Sequence, residues 1–523
     1  MILDKIRKYY VSAVCLFILC IYFISIVIIN FSGNPAYYVT DMYSDMNYAA
    51  EVWTHKSIFP DGWIFGNQLY AVATPVLASI FYGLSNDHCI AMGIASTIMG
   101  IGVLLSFNWM LKPVFQTVQE RLIGIIAFMS LVLASGDPIY STNGWQLFFT
   151  MCSYYACYAI TAFLAFGCYL HSDVDWSCNL VAILLLSCVL SFGTGIQSLR
   201  QTAIMVCPLI AVEILHMVYR IAHKEKVVDK SWIVTGLITV SNLSGVLYAR
   251  IKNVDQVEIF GNIGIMDIPD ALSNVLPSVS HALSLFVSAS STVAVVLAVT
   301  CLLVVFYIIH KFRIVKNRKA IICLLLFGIS VAVMLIIDVF TTMYIRGIYY
   351  FLLYPLIAFL VISLHSYAGK MLHYLTVIVL VIIFAFHFTQ KLSPIIQQPG
   401  PNTTYEEVVD YLEENNITTI FSGWNRGEKI GISSKWKIKA GFWDSPHTPF
   451  AGVNYLCDPT VFNADASQSA YVFFGDAEAA IAVEKANNMN VDFTLAKYFA
   501  ESNVYIFTSK INIMQAVTHN HGS

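Results

Sequence analysis

Runs of about twenty consecutive apolar residues recur along this 523-residue chain, and they limit its fold more than any other feature. A bilayer core about 30 Å thick needs roughly 20 apolar residues in one helix. Eleven runs are present, of which two, 122–136 and 180–196, are short. The other nine lie at 11–31, 89–111, 148–170, 203–219, 232–250, 282–310, 320–340, 348–364 and 372–390. The pattern predicts a mainly α protein, a polytopic membrane bundle of about eleven transmembrane helices.

The composition agrees with a membrane protein and excludes other classes. Hydrophobic residues make up 58% and charged residues 12%, whereas a soluble domain carries about 25% charged residues. A soluble or disordered chain is therefore excluded. The net charge of −3 provides no basic tract, so we expect no nucleic-acid partner. The twelve cysteines form no CxxC pair, which argues against a zinc site or a disulfide framework.

The distribution of lysine and arginine predicts the orientation. With the N-terminus in the cytoplasm, the inner segments hold 15 of these residues and the outer loops hold five. Basic residues favour the cytoplasmic side in short loops. We therefore expect a multi-pass protein of the cell membrane, with a cytoplasmic N-terminus and an extracytoplasmic C-terminal region.

The first outer loop, residues 31–88, is predicted to hold two helices on the membrane surface. The first lies in 44–55, where Met46, Ala49, Ala50 and Trp53 share one face. The second lies in 68–84, an apolar run interrupted by Pro75. Counting this run as a span would reverse the orientation of every later segment, so a surface position fits better.

The composition changes after residue 390. A linker rich in proline and polar residues leads to a helical pattern, TYEEVVDYLEENN, and to the strand-like segments ITTIF, YVFFG and NVYIFTS. We therefore divide the chain into a transmembrane domain, 1–390, and a small extracytoplasmic α/β domain, 391–523.

Two acids stand at the start of the first surface helix. Asp41 and Asp45, in YYVTDMYSDMNYAAEVW, are four residues apart, so both carboxylates share one face if the segment is helical there. A pair of acids at the interface suits a general base or the binding of a divalent cation. The alternative is that they only cap and solubilise the helix.

Two arginines lie in short outer turns, where cations are few. Arg200 is in GIQSLRQTA and Arg346 is in TTMYIRGIYYFLLYP. A guanidinium at this depth can bind a lipid phosphate with two hydrogen bonds. The alternatives are snorkelling for both, or an ion pair between Arg346 and Asp338. The predicted topology places both arginines and both aspartates on one membrane face, which favours a functional site.

The second outer loop, GDPIYSTNGWQ, supplies weaker signals. Asn143, Trp145 and Gln146 are the residues there that suit contact with a sugar. The commoner role of such a loop is exposure to solvent.

The order of these features resembles the GT-C superfamily of integral membrane glycosyltransferases, which includes protein O-mannosyltransferases and lipid A aminoarabinose transferases. The resemblance covers the first four hundred residues: an anchor helix, the acidic segment DMYSDMNYAAEVW, the proline-started segment TPVLASIFYGLSNDHCIAMG and the late segment RGIYYFLLYPLIAFL. The resemblance lies in the pattern and order of these segments. No long identical motif supports it.

The resemblance implies a function and roles for the four charged residues. Such enzymes take a sugar from a polyprenyl-phosphate donor at the outer leaflet. Asp41 or Asp45 would act as the base or as a metal ligand, and Arg200 and Arg346 would bind the donor phosphate. The acceptor would be a glycan, polymer or protein of the cell envelope, and membrane lipids would surround the protein. Many members carry adjacent Asp-Glu, whereas Met42 and Met46 follow the two aspartates here.

Other functions are consistent with a polytopic chain. A transporter or flippase for lipid-linked glycans should show inverted repeats and broken helices, and no convincing repeat is found. A polysaccharide polymerase or ligase places its large outer loop between late spans, whereas here the large outer segment is C-terminal. A catalytically inactive relative that binds polymer is the remaining alternative.

Overall fold

The computed structural model describes residues 2–31, 40–66, 68–135, 144–173, 176–226, 229–252, 254, 264–286, 317–343, 345–367, 370–397, 405–423, 426–443, 445, 447–452, 456–457 and 459–514. Helices dominate the part before the sheet. They are α1 (Ile2–Phe31), α2 (Thr40–His55), α3 (Thr74–Ser85), α4 (His88–Leu111), α5 (Val118–Ala134), α6 (Ala156–His171), α7 (Cys178–Gln197), α8 (Cys207–Ala222), α9 (Lys230–Lys252), α10 (Ile268–Leu283), α11 (Arg318–Phe340), α12 (Leu353–Tyr367), α13 (Lys370–His387) and α14 (Ser393–Gln397).

Seven of the described helical segments are long and apolar enough to cross a membrane. They are Tyr10–Phe31, His88–Leu111, Cys178–Gln197, Thr202–Ala222, Lys230–Lys252, Arg318–Phe340 and His373–Leu392. Two more predicted spans correspond to the shorter apolar helices α6 and α12. The predicted span 282–310 lies mostly outside the described residues. The fold class is therefore confirmed, while the count of eleven spans and the orientation stay predictions.

Two predicted spans differ from the helices in a way that local chemistry explains. The short run 122–136 gains a turn because α5 begins at Val118, behind a capping box in which Thr117 and Glu120 bond each other's backbone amides. The run 148–170 loses its beginning, because α6 starts only at Ala156. A 3₁₀ turn, Gly144–Leu147, and non-helical backbone precede it.

The first loop contains both predicted helices, α2 and α3. Met46, Ala49 and Ala50 of α2 are buried, as their spacing predicted, whereas Trp53 is partly exposed. Helix α3 has Pro75 in its first turn, where proline lacks only an amide that would be unbonded anyway. Both helices pack against α4, so the loop is a fixed layer on the bundle.

The C-terminal region is an α/β unit with a five-stranded sheet. Its elements are α15 (Glu406–Glu414), β1 (Thr419–Gly423), α16 (Gly427–Ser433), β2 (Lys439–Trp443), β3 (Ser469–Phe474), α17 (Asp476–Asn488), β4 (Phe493–Phe499) and β5 (Val504–Ser509). The strands lie in the order β2-β1-β3-β5-β4. Strand β1 pairs in parallel with β2 and β3, whereas β5 is antiparallel to β3 and β4. Alternate residues of β1 bury opposite faces of the sheet. Phe421 packs with the helix Asp476–Asn488, and Ile420 packs with the helices Glu406–Glu414 and Gly427–Ser433.

The first loop and the C-terminal region are joined through their backbones. Ile64 and Cys457 form an isolated antiparallel bridge, in which the Ile64 amide donates to the Cys457 carbonyl over 3.3 Å. The Leu456 amide donates to the Ile64 carbonyl over 2.7 Å. Helical structure of the bundle continues to Gln397, and the predicted domain boundary at residue 390 stays a prediction.

Candidate functional site

Helix α2 carries the two predicted acids in different environments. Asp41 lies in the first turn and its side chain reaches the surface. Asp45 lies one turn later and is 2% exposed. Met42 and Met46, which follow the two aspartates, are buried in the core of the bundle. These two methionines anchor α2 to the bundle, and the position of α2 determines where the two carboxylates lie.

Burial determines the state of Asp45. It raises the pKa of this carboxyl well above its usual range, side-chain hydrogen bonds with Tyr70 and Cys152 lower it in part, and the charge of Asp41 raises it. The Oδ1 atom has no hydrogen-bond partner among the described residues. A carboxylate in such surroundings is costly, so Asp45 favours the protonated form.

Asp41 is positioned for exchange with solvent. The protein packed around it raises the pKa of its carboxyl, and the positive charge of Arg346 lowers this pKa in part. Arg346 lies between α11 and α12, immediately before a 3₁₀ turn, Gly347–Tyr350. The structure thus brings an acid of the first loop under the influence of a cation in a late turn.

Arg200 is held inside a group of tyrosines directly after α7. Its Nη1 donates to the Tyr155 hydroxyl over 3.1 Å. The guanidinium carbon lies 4.1 Å from the Tyr349 ring centroid and 5.8 Å from that of Tyr158. Its Nε is buried without a hydrogen-bond partner among the described residues. A cation packed against tyrosine rings differs from a snorkelling side chain, which extends to the headgroups.

The two arginines share their surroundings. The charges of Arg200 and Arg346 both act on the Tyr155 hydroxyl. Tyr155 precedes α6, Arg200 follows α7, and Tyr349 lies in the turn after Arg346. With α2, whose Asp41 is under the influence of Arg346, four separate chain segments meet here. We call Asp41, Asp45, Arg200 and Arg346, with Tyr155, the first-loop cluster.

Asp338 is engaged elsewhere. Its carboxylate accepts a hydrogen bond from the Tyr350 hydroxyl over 2.7 Å and lies 3.2 Å from Nδ1 of His281. These contacts satisfy the acid without Arg346, so the alternative of an Asp338–Arg346 ion pair loses its main support.

The second-loop residues are placed differently from the cluster. Trp145 and Gln146 have no exposed surface. The Trp145 indole donates to the Met129 carbonyl over 3.2 Å and packs edge-on against Tyr22, with ring centroids 5.4 Å apart. In this structure neither side chain is open to a sugar. Asn143 lies outside the described residues.

The tyrosines and the thiol of the site were missed by sequence reasoning. Tyr155 and Cys152 lie in the segment MCSYYACYA, and Tyr349 lies three residues after Arg346, inside the segment TTMYIRGIYYFLLYP. The available signal was two pairs of adjacent tyrosines at predicted outer turns, Tyr154-Tyr155 and Tyr349-Tyr350. Aromatic residues are common at membrane interfaces, which made this signal easy to attribute to the bilayer.

The charges of the cluster bear on the alternative of a divalent cation. Among the described residues, no group of three or more histidine, cysteine and acidic side chains is suited to hold a metal ion. A cation held by Asp41 and Asp45 therefore stays a prediction. The approach of Arg346 to Asp41 suits acid–base chemistry and anion binding.

Comparison with known proteins supports the fold. No family model matches this chain, and no curated protein matches its sequence. Among solved structures it is similar to the crystal structure of ArnT from Cupriavidus metallidurans in the apo state. The identity is 9% and the TM-score is 0.53, over 98% of this chain and 99% of that chain. The expectation of a GT-C-like architecture is confirmed: this chain is a membrane protein with the fold of ArnT.

Proposed function

We propose that this chain is a glycosyltransferase that moves a sugar from a polyprenyl-phosphate donor to a cell-envelope acceptor at the outer face of the membrane. The observation that carries the proposal is the approach of a solvent-accessible aspartate, Asp41, to Arg346. Arg200 lies nearby, because both arginines act on the Tyr155 hydroxyl. The ArnT-like fold supports the same class of reaction.

The proposed mechanism uses the two arginines for the leaving group. As the bond between the sugar carbon and the phosphate oxygen breaks, negative charge grows on the phosphate. Arg200 and Arg346 stabilise that charge more in the transition state than in the ground state. Arg200 is held by Tyr155 and Tyr349 before the donor arrives, so little reorganisation is needed.

The proposed base is Asp41. It accepts the proton of the acceptor hydroxyl while that oxygen bonds to the sugar carbon and the polyprenyl phosphate leaves. Inversion at the carbon follows by analogy with the superfamily. Asp45, buried behind Asp41, acts as a positioning residue through its contacts with Tyr70 and Cys152.

The test is label transfer by the full-length protein in lipid nanodiscs. Protein is mixed with a radiolabelled polyprenyl-phosphate sugar and a cell-envelope extract, and label is followed into larger products. We expect transfer by the wild type, its loss in Asp41→Asn, and normal transfer in Asp61→Asn, which changes an exposed acid in a turn of the same loop. Unchanged transfer in Asp41→Asn contradicts the proposed base.

The same assay separates the alternatives. A flippase moves labelled donor across a vesicle membrane without cleaving it. A polymerase or ligase joins preassembled glycans, so the transferred unit contains more than one sugar. An inactive relative binds donor or polymer and produces no new linkage.

A further inference from the structure

A cavity of about 310 Å³ lies between the bundle and the C-terminal region, outside the first-loop cluster. The end of α1 and the start of α4 form one wall, and the end of α16 and the segment after it form the other. Its volume is near the lower limit of small-molecule sites, which span ~300–1,000 Å³. Its main lining residues are Phe31, Asp87, His88, Ser433, Lys435 and Trp436.

Trp436 is the aromatic wall of this cavity. Its ring lies beside the His88 ring, with centroids 5.3 Å apart. The Cε3–Cζ3 edge packs over Gly431 so closely that a Cβ there would lie 3.0 Å away. The opposite edge carries Nε1, which is buried and has no hydrogen-bond partner among the described residues. The indole of Trp436 offers a ligand an apolar aromatic surface on which a sugar ring can stack.

The backbone at Trp436 is held in an unusual conformation. Lys435 and Trp436 have φ angles of 53° and 59°, so two consecutive residues other than glycine are left-handed. Such strained residues cluster at binding sites, where the surrounding structure holds them. The Trp436 amide donates to the Gly431 carbonyl over 2.7 Å, which fixes the strained turn against α16.

The charges around the cavity indicate the kind of ligand. Asp87 and Glu406 supply two carboxylates against the single ammonium of Lys435. Asp87 is held by its hydrogen bond from the Ile90 amide, at 2.9 Å. An excess of negative charge disfavours a phosphate headgroup or an acidic glycan, whereas carboxylate, ammonium and hydroxyl groups together suit a neutral polyol.

We propose that this cavity binds one neutral sugar unit, stacked on Trp436. It lies beside α2, because α16, whose end lines the cavity, packs against that helix. Tyr43 is on the side of α2 away from Asp41, so the bound unit is not the reacting one. If the proposed function holds, on which this assignment rests, the unit belongs to the acceptor glycan, away from its reacting end.

The experiment is saturation-transfer NMR with the full-length protein in nanodiscs of neutral lipid. The probes are the methyl glycosides of glucose, galactose and mannose, with glucuronic acid and glucosamine as charged counterparts. We expect saturation transfer to at least one neutral glycoside, weaker transfer to glucuronic acid, and at least a fivefold loss in Trp436→Ala. Trp176→Ala, which removes an exposed tryptophan elsewhere, should leave binding unchanged.

Further measurements keep the test decisive. Glu406→Lys changes an exposed rim residue and should raise the signal of glucuronic acid relative to the neutral glycoside at least threefold, even if Trp436→Ala unfolds. Asp41→Asn should bind sugar normally, so a failed function and a failed cavity are distinguishable. The proposal is overturned by absence of signal from all neutral probes, by equal signal in folded Trp436→Ala, or by a copurified phospholipid that only Trp436→Ala releases.

Discussion

At the scale of single residues, the two aspartates of α2 are chemically unequal although the sequence presents them as a pair. Spacing placed them on one helix face and left open which is the base. The structure distinguishes them by burial, because Asp41 reaches the surface and Asp45 is 2% exposed. Burial depends on residues far away in sequence, such as Tyr70 and Cys152, so no local pattern contains it.

This inequality predicts different effects of the same substitution. Asp45→Asn replaces a protonated carboxyl by a neutral amide of similar shape, so it should lower kcat less than about tenfold. Asp41→Asn removes the proton acceptor and should lower kcat by about 10²–10⁴-fold. Initial rates at saturating donor measure both. A larger loss in Asp45→Asn than in Asp41→Asn would reverse the assigned roles.

Arg346 predicts a shift in the pH dependence. Asp41 must be ionised to act as a base, so activity falls as pH drops through its pKa. The positive charge of Arg346 lowers that pKa, so Arg346→Gln raises it further and moves the acidic limb of kcat to higher pH. Rate profiles across the acidic range measure the limb. Arg250→Gln, an exposed change at the end of α9, is the control. A limb that stays in place in Arg346→Gln excludes the coupling.

At the scale of elements, apolar runs predicted most helices, because length and hydropathy are local properties. The sequence could not predict the non-helical entry to α6 or the π-helical turn Thr202–Val206 that follows Arg200. Both depend on packing against other helices. In the C-terminal sheet, β1, β3 and β5 were predicted, whereas β2 and β4 lacked a clear apolar pattern.

The contact of α7 with α9 predicts sensitivity to one methyl group. A Cβ at Gly245 would lie 2.1 Å from the Phe192 carbonyl oxygen, whereas a Cβ at Gly236 of the same helix meets nothing within 4 Å. Gly245→Ala should therefore cost about 1–3 kcal/mol and lower the unfolding temperature. Gly236→Ala should hold or raise it, because alanine favours helices. Thermal unfolding in detergent compares the two, and equal midpoints would contradict the close packing.

At the scale of the whole molecule, the order of segments predicted the architecture better than any single motif did. The likeness to ArnT at 9% identity shows how little of this fold depends on conserved side chains. Bilayer thickness and the alternation of apolar runs with short loops determine much of the bundle. They also bring Asp41 and Arg346 to one face, although their roles stay predictions.

The predicted orientation gives a direct test. A cysteine at Lys497, which is exposed on β4, should react with a membrane-impermeant maleimide in intact cells. A cysteine at Lys226, exposed between α8 and α9, should react only after the membrane is opened. The wild type measures the background from its own thiols. The reverse labelling pattern would invert the proposed topology and place the first-loop cluster in the cytoplasm.

The bridge between Ile64 and Cys457 bears on how the protein is made. The ribosome releases Ile64 early, and its partner emerges only after nearly the whole bundle has been inserted. Until then the edge of the first loop lacks its backbone partner, and the loop beside α2 is incomplete. We therefore expect this loop to be completed only late in synthesis, and we expect a chain truncated before the sheet to insert its helices without completing the loop.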